Sequence, residues 1–318
     1  MSLIRLVISI SFAVCLLTAS GSRAQQVTPV EASIFRVAAS DDRLVISLAD
    51  QQIAEYVFRD STILRPYFAQ LRTTSGLQVS RNHPPVAGTD DTDHDTMHPG
   101  LWMGFGDFGG SDFWRNKGRI SHLRFLKSPT ANGDQLSFET ESEVVSADGM
   151  RLCLMTSRIQ LLKLDANWLL SWEAEFHSNS NEIAFGDQEE MGFGARVATE
   201  ITEKRGGQIT SSAGLITAKA TWGQPASWCD YSGQITNQPA GITLMAASDN
   251  FRESWWHNRD YGVFVANPFG RAAMKQGDAS RVPVIPGTPF RIRFGACIHS
   301  GEDYKPAAAF ERFDAMTK

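Results

Sequence analysis

The stretch "WLLSWEAEFH" (residues 168–177) decides the fold. Trp168, Leu170, Trp172, Ala174 and Phe176 fall on one side of an extended chain, and Ser171, Glu173, Glu175 and His177 on the other. Successive side chains of a strand point to opposite faces, so this alternation predicts a strand with one face in a core. "FRIRFGACIH" (290–299) repeats it, with Phe290, Ile292, Phe294, Ala296 and Ile298 opposite Arg291, Arg293, Gly295, Cys297 and His299. "LSFETESEVV" (136–145) and "RLCLMTSRIQL" (151–161) follow the same rule. Strands with one apolar and one polar face belong to antiparallel sheets.

Turn-forming "ANGD" (131–134), "ADGM" (147–150) and "RGGQ" (205–208) separate the strands. One helix is expected, "PAAAFERFDAM" (306–316). There is no internal repeat, low-complexity tract or long Pro/Ser linker. The expectation is an all-β chain: a single large antiparallel β-sandwich over 25–318 with a short C-terminal helix. Its polar rows carry Arg, Glu and His rather than Lys, Ser and Thr. Such a face either meets solvent or, on a broad curved sheet, lines a cleft.

Residues 1–24 read as a leader. Arg5 is followed by an apolar run from Leu6 to Thr18, and Ser22-Arg23-Ala24 fits a small-x-small cleavage site. The run is short for a membrane span, and nothing later resembles one. A periplasmic or secreted protein is therefore expected. Cleavage leaves 28 basic against 35 acidic residues, which argues against nucleic acid or an anionic membrane as partner. Three cysteines remain, Cys153, Cys229 and Cys297, enough for at most one internal disulfide. No Cys-x-x-Cys pair supports a zinc knuckle or a redox motif.

The candidate chemistry clusters in five stretches. "DTDHDTMHPGLW" (91–102) carries three aspartates with His94 and His98. Its Asp/Thr crowding and Pro99-Gly100 make it a loop, and the helical His-Glu-x-x-His signature is absent. It is a solvated acidic loop unless the fold brings its residues together. "LWMGFGDFGGSDFWRNKGRISH" (101–122) alternates five glycines with aromatics, Trp102 and Asp107 among them. This pattern suits a sugar site, and equally glycine-cornered strands with core tryptophans. "GDQEEMGFGARVA" (186–198) places Glu189 and Glu190 before Arg196, as a structural ion pair or as a general base held by a cation. "WGQPASWCDYSG" (222–233) adds Trp228 and Asp230. "NFRESWWHNRDYGVFVANPFGR" (250–271) adds Trp256, His257, Arg259 and Asp260, where Asp260 would orient the His257 imidazole.

The segments "RPYFAQLRTTSG", "NHPP", "HPGLWMGFGDFGGSDFW", "GRISH", "QEEMGFGARVA", "WCDYSG", "SWWHNRDYGVFVANPFGR" and "FGACIH", over roughly 65–299, carry a resemblance. The chain resembles exported bacterial proteins of undefined activity often labelled "methane oxygenase PmoA-like". Met97 stands where that family has a second histidine, which counts against a metal role. The resemblance implies a galactose-mutarotase-like sandwich, with a ligand on the concave face of one sheet and a histidine–carboxylate pair as acid and base. It does not imply methane oxidation, since a membrane oxygenase needs several membrane-spanning helices.

Together these expectations describe a carbohydrate-active enzyme working by proton transfer, with epimerisation, elimination or hydrolysis as the chemistry. His98 and His257 are the expected proton carriers and Glu189 or Glu190 the carboxylate partner. Arg72 and Arg196 would bind hydroxyls or a uronate, and Trp102, Trp228 and Trp256 would stack on rings. His83, Asp107, Asp230, Arg259 and His299 complete the substrate-binding set. No cofactor is required. The alternatives are a non-catalytic glycan-binding protein and an enzyme holding a divalent metal through His94, His98, His257 and His299.

Overall fold

The alternating rows of the sequence become two eight-stranded antiparallel sheets. The computed structural model describes residues 33–179 and 182–317, so the expected leader lies outside the described residues. Strands β1 (Phe35–Ala39), β2 (Arg43–Leu48), β3 (Gln51–Val57), β4 (Tyr67–Ala69) and β5 (Leu101–Phe105) begin the first sheet. Four strands, β6 (Arg119–Asn132), β7 (Gln135–Val145), β8 (Arg151–Leu164) and β9 (Asn167–His177), make half of the second. After β10 (Ile183–Phe185) the chain returns to the first sheet with β11 (Met191–Arg196). It then crosses to the second with β12 (Gln208–Ser211). Past the one-turn helix α1 (Ala218–Thr221) it adds β13 (Trp228–Ile235) and β14 (Gln238–Ala246). β15 (Trp255–Asn258) and β16 (Val263–Asn267) complete the first sheet. β17 (Val282–Val284) pairs with β10, and β18 (Phe290–Ser300) enters the second sheet between β14 and β9. The described residues fall in one compact unit.

The core lies between the sheets. Trp168, Leu170, Trp172, Ala174 and Phe176 of β9 meet Leu101, Met103 and Phe105 of β5 and Phe193 of β11 in a single cluster. Phe193 of one sheet stacks on Phe294 of the other, centroids 5.4 Å apart. Full burial of a large apolar side chain contributes about 1.5–3 kcal/mol, so these rows dominate the stability of the sandwich.

The polar row of β18 does not line a cleft along its whole length. Helix α2 (Pro306–Asp314), started by a proline in its first turn, lies across it. A Cβ on Gly295 would stand 2.5 Å from the Phe313 ring, so only glycine admits the helix there. The Arg293 guanidinium lies 4.5 Å from that ring and donates to the Phe313 carbonyl at 3.0 Å. Cys153, Cys229 and Cys297 are buried, unpaired thiols, and burial pushes Cys153 and Cys297 up to about 12, which keeps them unreactive.

Candidate functional site

The outer face of the first sheet gathers most of the candidate residues. Strand register sets one row across it: Tyr67, Trp102, Gly194, Val265 and His257. Gly194 is the gap in this row. The Trp102 indole lies over it, and a Cβ there would stand 3.0 Å from the indole and 3.1 Å from Val265. Trp114 meets Trp102 edge-on at 5.3 Å, and His98 stacks on Trp102 at 5.1 Å. Both indoles are fully buried. The glycine–aromatic stretch therefore builds a second apolar layer outside the sheet, and Trp102 has no free face to offer a sugar.

At one end of this layer stands a carboxylate–imidazole pair. Glu189 Oε2 lies 2.9 Å from His257 Nδ1 and accepts from Arg259 Nη2 at 2.6 Å. The imidazole nitrogen is within bonding distance but off the hydrogen-bond axis. Contact with His257 and the charge of Arg259 outweigh burial and hold the Glu189 carboxyl below its usual value. His257 comes from the rigid strand β15 and is buried. Glu189 comes from a loop fixed by Asn267, whose amide donates to the carbonyls of Gln188 and Glu189 at 2.8 and 2.9 Å. The same side chain accepts from the backbone N–H groups of Phe269 and Gly270, both at 2.9 Å. Beside Glu189, the Glu190 carboxylate pairs with Arg115, which also donates to Asp112.

Next to this pair lies a buried nest of arginines. Arg196 donates to both Asp93 oxygens at 3.0 and 2.8 Å. Asp93 also contacts His94 Nδ1 at 2.6 Å. Arg81 donates to the carbonyls of Asp91, Asp93 and His98, and Arg65 to those of Phe113, Trp114 and Met97. Burial raises the Asp93 carboxyl, but hydrogen bonds from Arg196 and His94 and the charges of Arg196 and Arg81 outweigh it and hold the group well below its usual range. His98 feels the opposite pressure. Burial, then the charge of Arg196 and the neighbouring His94, Arg81 and Arg65, push its imidazole well below the ordinary value. His98 is thus a neutral ring at neutral pH, with Nδ1 buried and unpartnered. A ring held neutral is a poor general acid and can carry a proton only by first accepting one. Tyr261 closes the group, with the Arg196 guanidinium 4.7 Å from its ring.

The remaining expected residues lie elsewhere or act differently. Trp256 is fully buried in the inter-sheet core and donates to the Ala226 carbonyl, so it stacks on no ligand. Asp260 does not orient His257. It is exposed, 3.8 Å from Lys204, and lines a cavity of about 840 Å³ at the β15–α1 edge together with Arg259 and Trp222. Arg72 donates to the Gly76 carbonyl in its own turn. His83 meets Tyr67 edge-on at the margin of the outer layer, where burial lowers its pKa. Asp107 lines a different cavity, of about 630 Å³. Trp228 packs into the cluster that includes Phe313 of α2. Asp230 and His299 pair with each other at 2.8 Å on the second sheet, so the site residues do not share one hollow.

His94 and His98 do come together, ring centroids 5.1 Å apart. His257 engages Glu189 instead, and His299 belongs to the other sheet. Among the described residues no group of three or more His, Cys, Asp or Glu side chains is arranged to hold a metal ion.

Four residues central to this face escaped the sequence reading: Asp93 as a partner, Arg81, Arg65 and Asn267. Arg196 and Asp93 stand 103 positions apart, and no local pattern encodes such a contact. Asn267 carried one signal: an asparagine closing an apolar strand just before Pro268 is placed to tie down loop backbone.

Comparison with known proteins finds no match among curated proteins. Among solved structures, the chain is similar to a galactose mutarotase related enzyme from Lactobacillus acidophilus. The likeness has 8% identity and a TM-score of 0.33, over 85% of this chain and 98% of that one, and no residue role is carried over from it. A family profile described as "Family of unknown function (DUF6807)" matches residues 43–313, and that description names no oxygenase or other activity. This match spans nearly all of the described sandwich, and the chain belongs to that family.

Proposed function

We propose that the protein is an exported carbohydrate-active enzyme whose acid/base pair is Glu189 and His257. One observation carries this reading: an ionised carboxylate, held by Arg259, lies 2.9 Å from a strand-borne imidazole. An imidazole is the side chain suited to giving and taking a proton near neutrality, and an adjacent carboxylate fixes its orientation and stabilises its charged form. Proton transfer at or beside an anomeric carbon requires one such couple. Arg259 and Arg115, both partly exposed, would face the hydroxyls or carboxylate of the substrate. His98 supports the floor as a neutral ring.

The test is turnover on a panel of neutral sugars, uronates and their oligosaccharides. His257→Ala and Glu189→Gln should each lower kcat by about 100-fold or more, the usual contribution of a positioned acid or base. His257 is buried, so its loss will lower the melting temperature, and turnover is compared at a temperature where both variants are folded. Undiminished turnover in His257→Ala ends the proposal. Sugar binding that survives both substitutions, with no product from the unaltered protein, would instead make it a glycan-binding protein.

A further inference from the structure

We propose that the outer face of the second sheet carries a separate binding pocket for a neutral polyhydroxylated molecule, such as a mono- or disaccharide, built around the His299–Asp230 pair. It does not depend on the Glu189–His257 reading.

Strand register places the pocket. Gln208, Ser232, Gly241 and His299 form one row, and Thr210, Asp230 and Thr243 the next. Polar side chains therefore fill alternate strand positions, which share a face that, a few residues away, is covered by α2. The gap left by Gly241 separates Ser232 from His299, and a Cβ there would stand 2.5 Å from Ser232. Above these rows lies a cavity of about 530 Å³ whose walls include Gln208, Thr210, Asp230, Gln234 and His299. That volume suits one or two sugar rings.

The polar groups of the floor are already organised. Asp230 is buried and accepts from Thr243 at 2.6 Å and from Ser232 at 2.7 Å. His299 Nε2 lies 2.8 Å from the same carboxylate. A carboxylate accepts, so Nε2 donates, and in the neutral imidazole Nδ1 is left as an acceptor. Among the described residues Nδ1 has no hydrogen-bond partner. Tyr304 stacks flat on the imidazole at 3.7 Å, and its hydroxyl meets that of Thr243 at 2.7 Å, which locks the ring. A rigid acceptor beside two amides and a threonine hydroxyl is a hydroxyl-reading surface.

The charge of the walls selects the ligand class. No lysine or arginine lines the cavity. The Asp230 charge is compensated by three hydrogen bonds from within the floor, and Glu302, exposed, is the other acid of the wall. An anionic ligand would meet no cation, and a cationic one would meet only a solvated rim carboxylate. A neutral polyol satisfies the amides, the hydroxyl and Nδ1 without burying charge.

The experiment is saturation-transfer NMR and calorimetric titration of the full chain with glucose, galactose, maltose, cellobiose and, as an anionic comparator, glucuronate. At least one neutral sugar should bind, and glucuronate at least fivefold more weakly than glucose. His299→Gln should weaken binding tenfold or more, and Gln208→Ala, at an exposed position, severalfold. Glu189→Gln on the other sheet should leave it unchanged. If His299→Gln does not fold, Gln208→Ala decides. Three outcomes overturn the proposal: no neutral sugar binds, binding is indifferent to Gln208→Ala, or Glu189→Gln abolishes it. The last would place sugar at the Glu189–His257 face and leave that reading standing.

Discussion

Arg196 grips Asp93 through two parallel hydrogen bonds of 3.0 and 2.8 Å, although 103 residues separate them. The guanidinium is almost wholly buried on β11, and the carboxylate comes from the loop that precedes β5. This pair fastens the 91–98 loop, with His94 and His98, onto the sheet. The paired carboxyl has a depressed pKa, so its stabilisation is fully present above the unfolded aspartate value near 4 and is lost as pH falls through the lower folded value. Asp93→Asn should lower the melting temperature at pH 7 and flatten the acid limb below about pH 4. Equal acid sensitivity in the two proteins, measured by melting from pH 2 to 7, would contradict this.

His122 predicts a second pH effect, at higher pH. Its ring packs between Phe58 and Phe125, at 4.6 and 4.9 Å, and burial pushes its pKa down to about 4. A histidine held neutral when folded binds fewer protons than when unfolded, so stability declines as pH drops from about 6.5 towards 4. The slope for one such group is about 1.4 kcal/mol per pH unit. His122→Phe should lessen the slope of stability against pH by about that amount in urea unfolding between pH 4 and 6.5, leaving the shares of His83 and His98. An unaltered slope rules out His122 as its source.

Asn267 should be costly to replace. Asn267→Ala leaves two carbonyls and two N–H groups without their partner, at about 1–3 kcal/mol for each one that stays buried and unsatisfied. The urea midpoint should fall substantially, and any activity that depends on Glu189 should fall further than stability alone explains. An unshifted midpoint means that the loop is held by other contacts.

Gly194→Ala tests the floor of the outer layer. The added methyl meets Trp102 and Val265 at about 3 Å, and overpacking of this kind costs about 1–3 kcal/mol. The displaced indole should change tryptophan fluorescence in the folded state. A stable variant with unchanged emission would show that Trp102 does not rest on Gly194.

The fold was legible because burial writes a period of two into each strand. The β9 and β18 rows named from alternation are the rows that meet in the core. The site was only partly legible. Trp102 and Trp256 sit among Gly, Asp and His in sequence, as a sugar platform would, yet His98 and Trp114 cover the first and the inter-sheet core buries the second. Which face of a strand is open depends on what lies over it, and α2 and the Trp114 loop come from distant parts of the chain. Likewise Asp260 stands three residues from His257, but the imidazole meets Glu189, because Asp260 lies in the exposed turn after β15 and approaches Lys204. Local spacing names the residue types of a site; long-range pairing chooses the partners.

The placement of β18 has a consequence for biogenesis. This strand is the last of the second sheet to be made, yet it is the one that joins β14 to β9. Until the ribosome has passed Ser300, β6–β9 and β12–β14 are two ribbons with unmatched edges, and the stripe beneath α2 waits longer still for its cover. The nascent chain therefore carries sticky, half-built surfaces through nearly all of its synthesis. A stop codon between Asn267 and Phe290 should give insoluble product, not a smaller working domain.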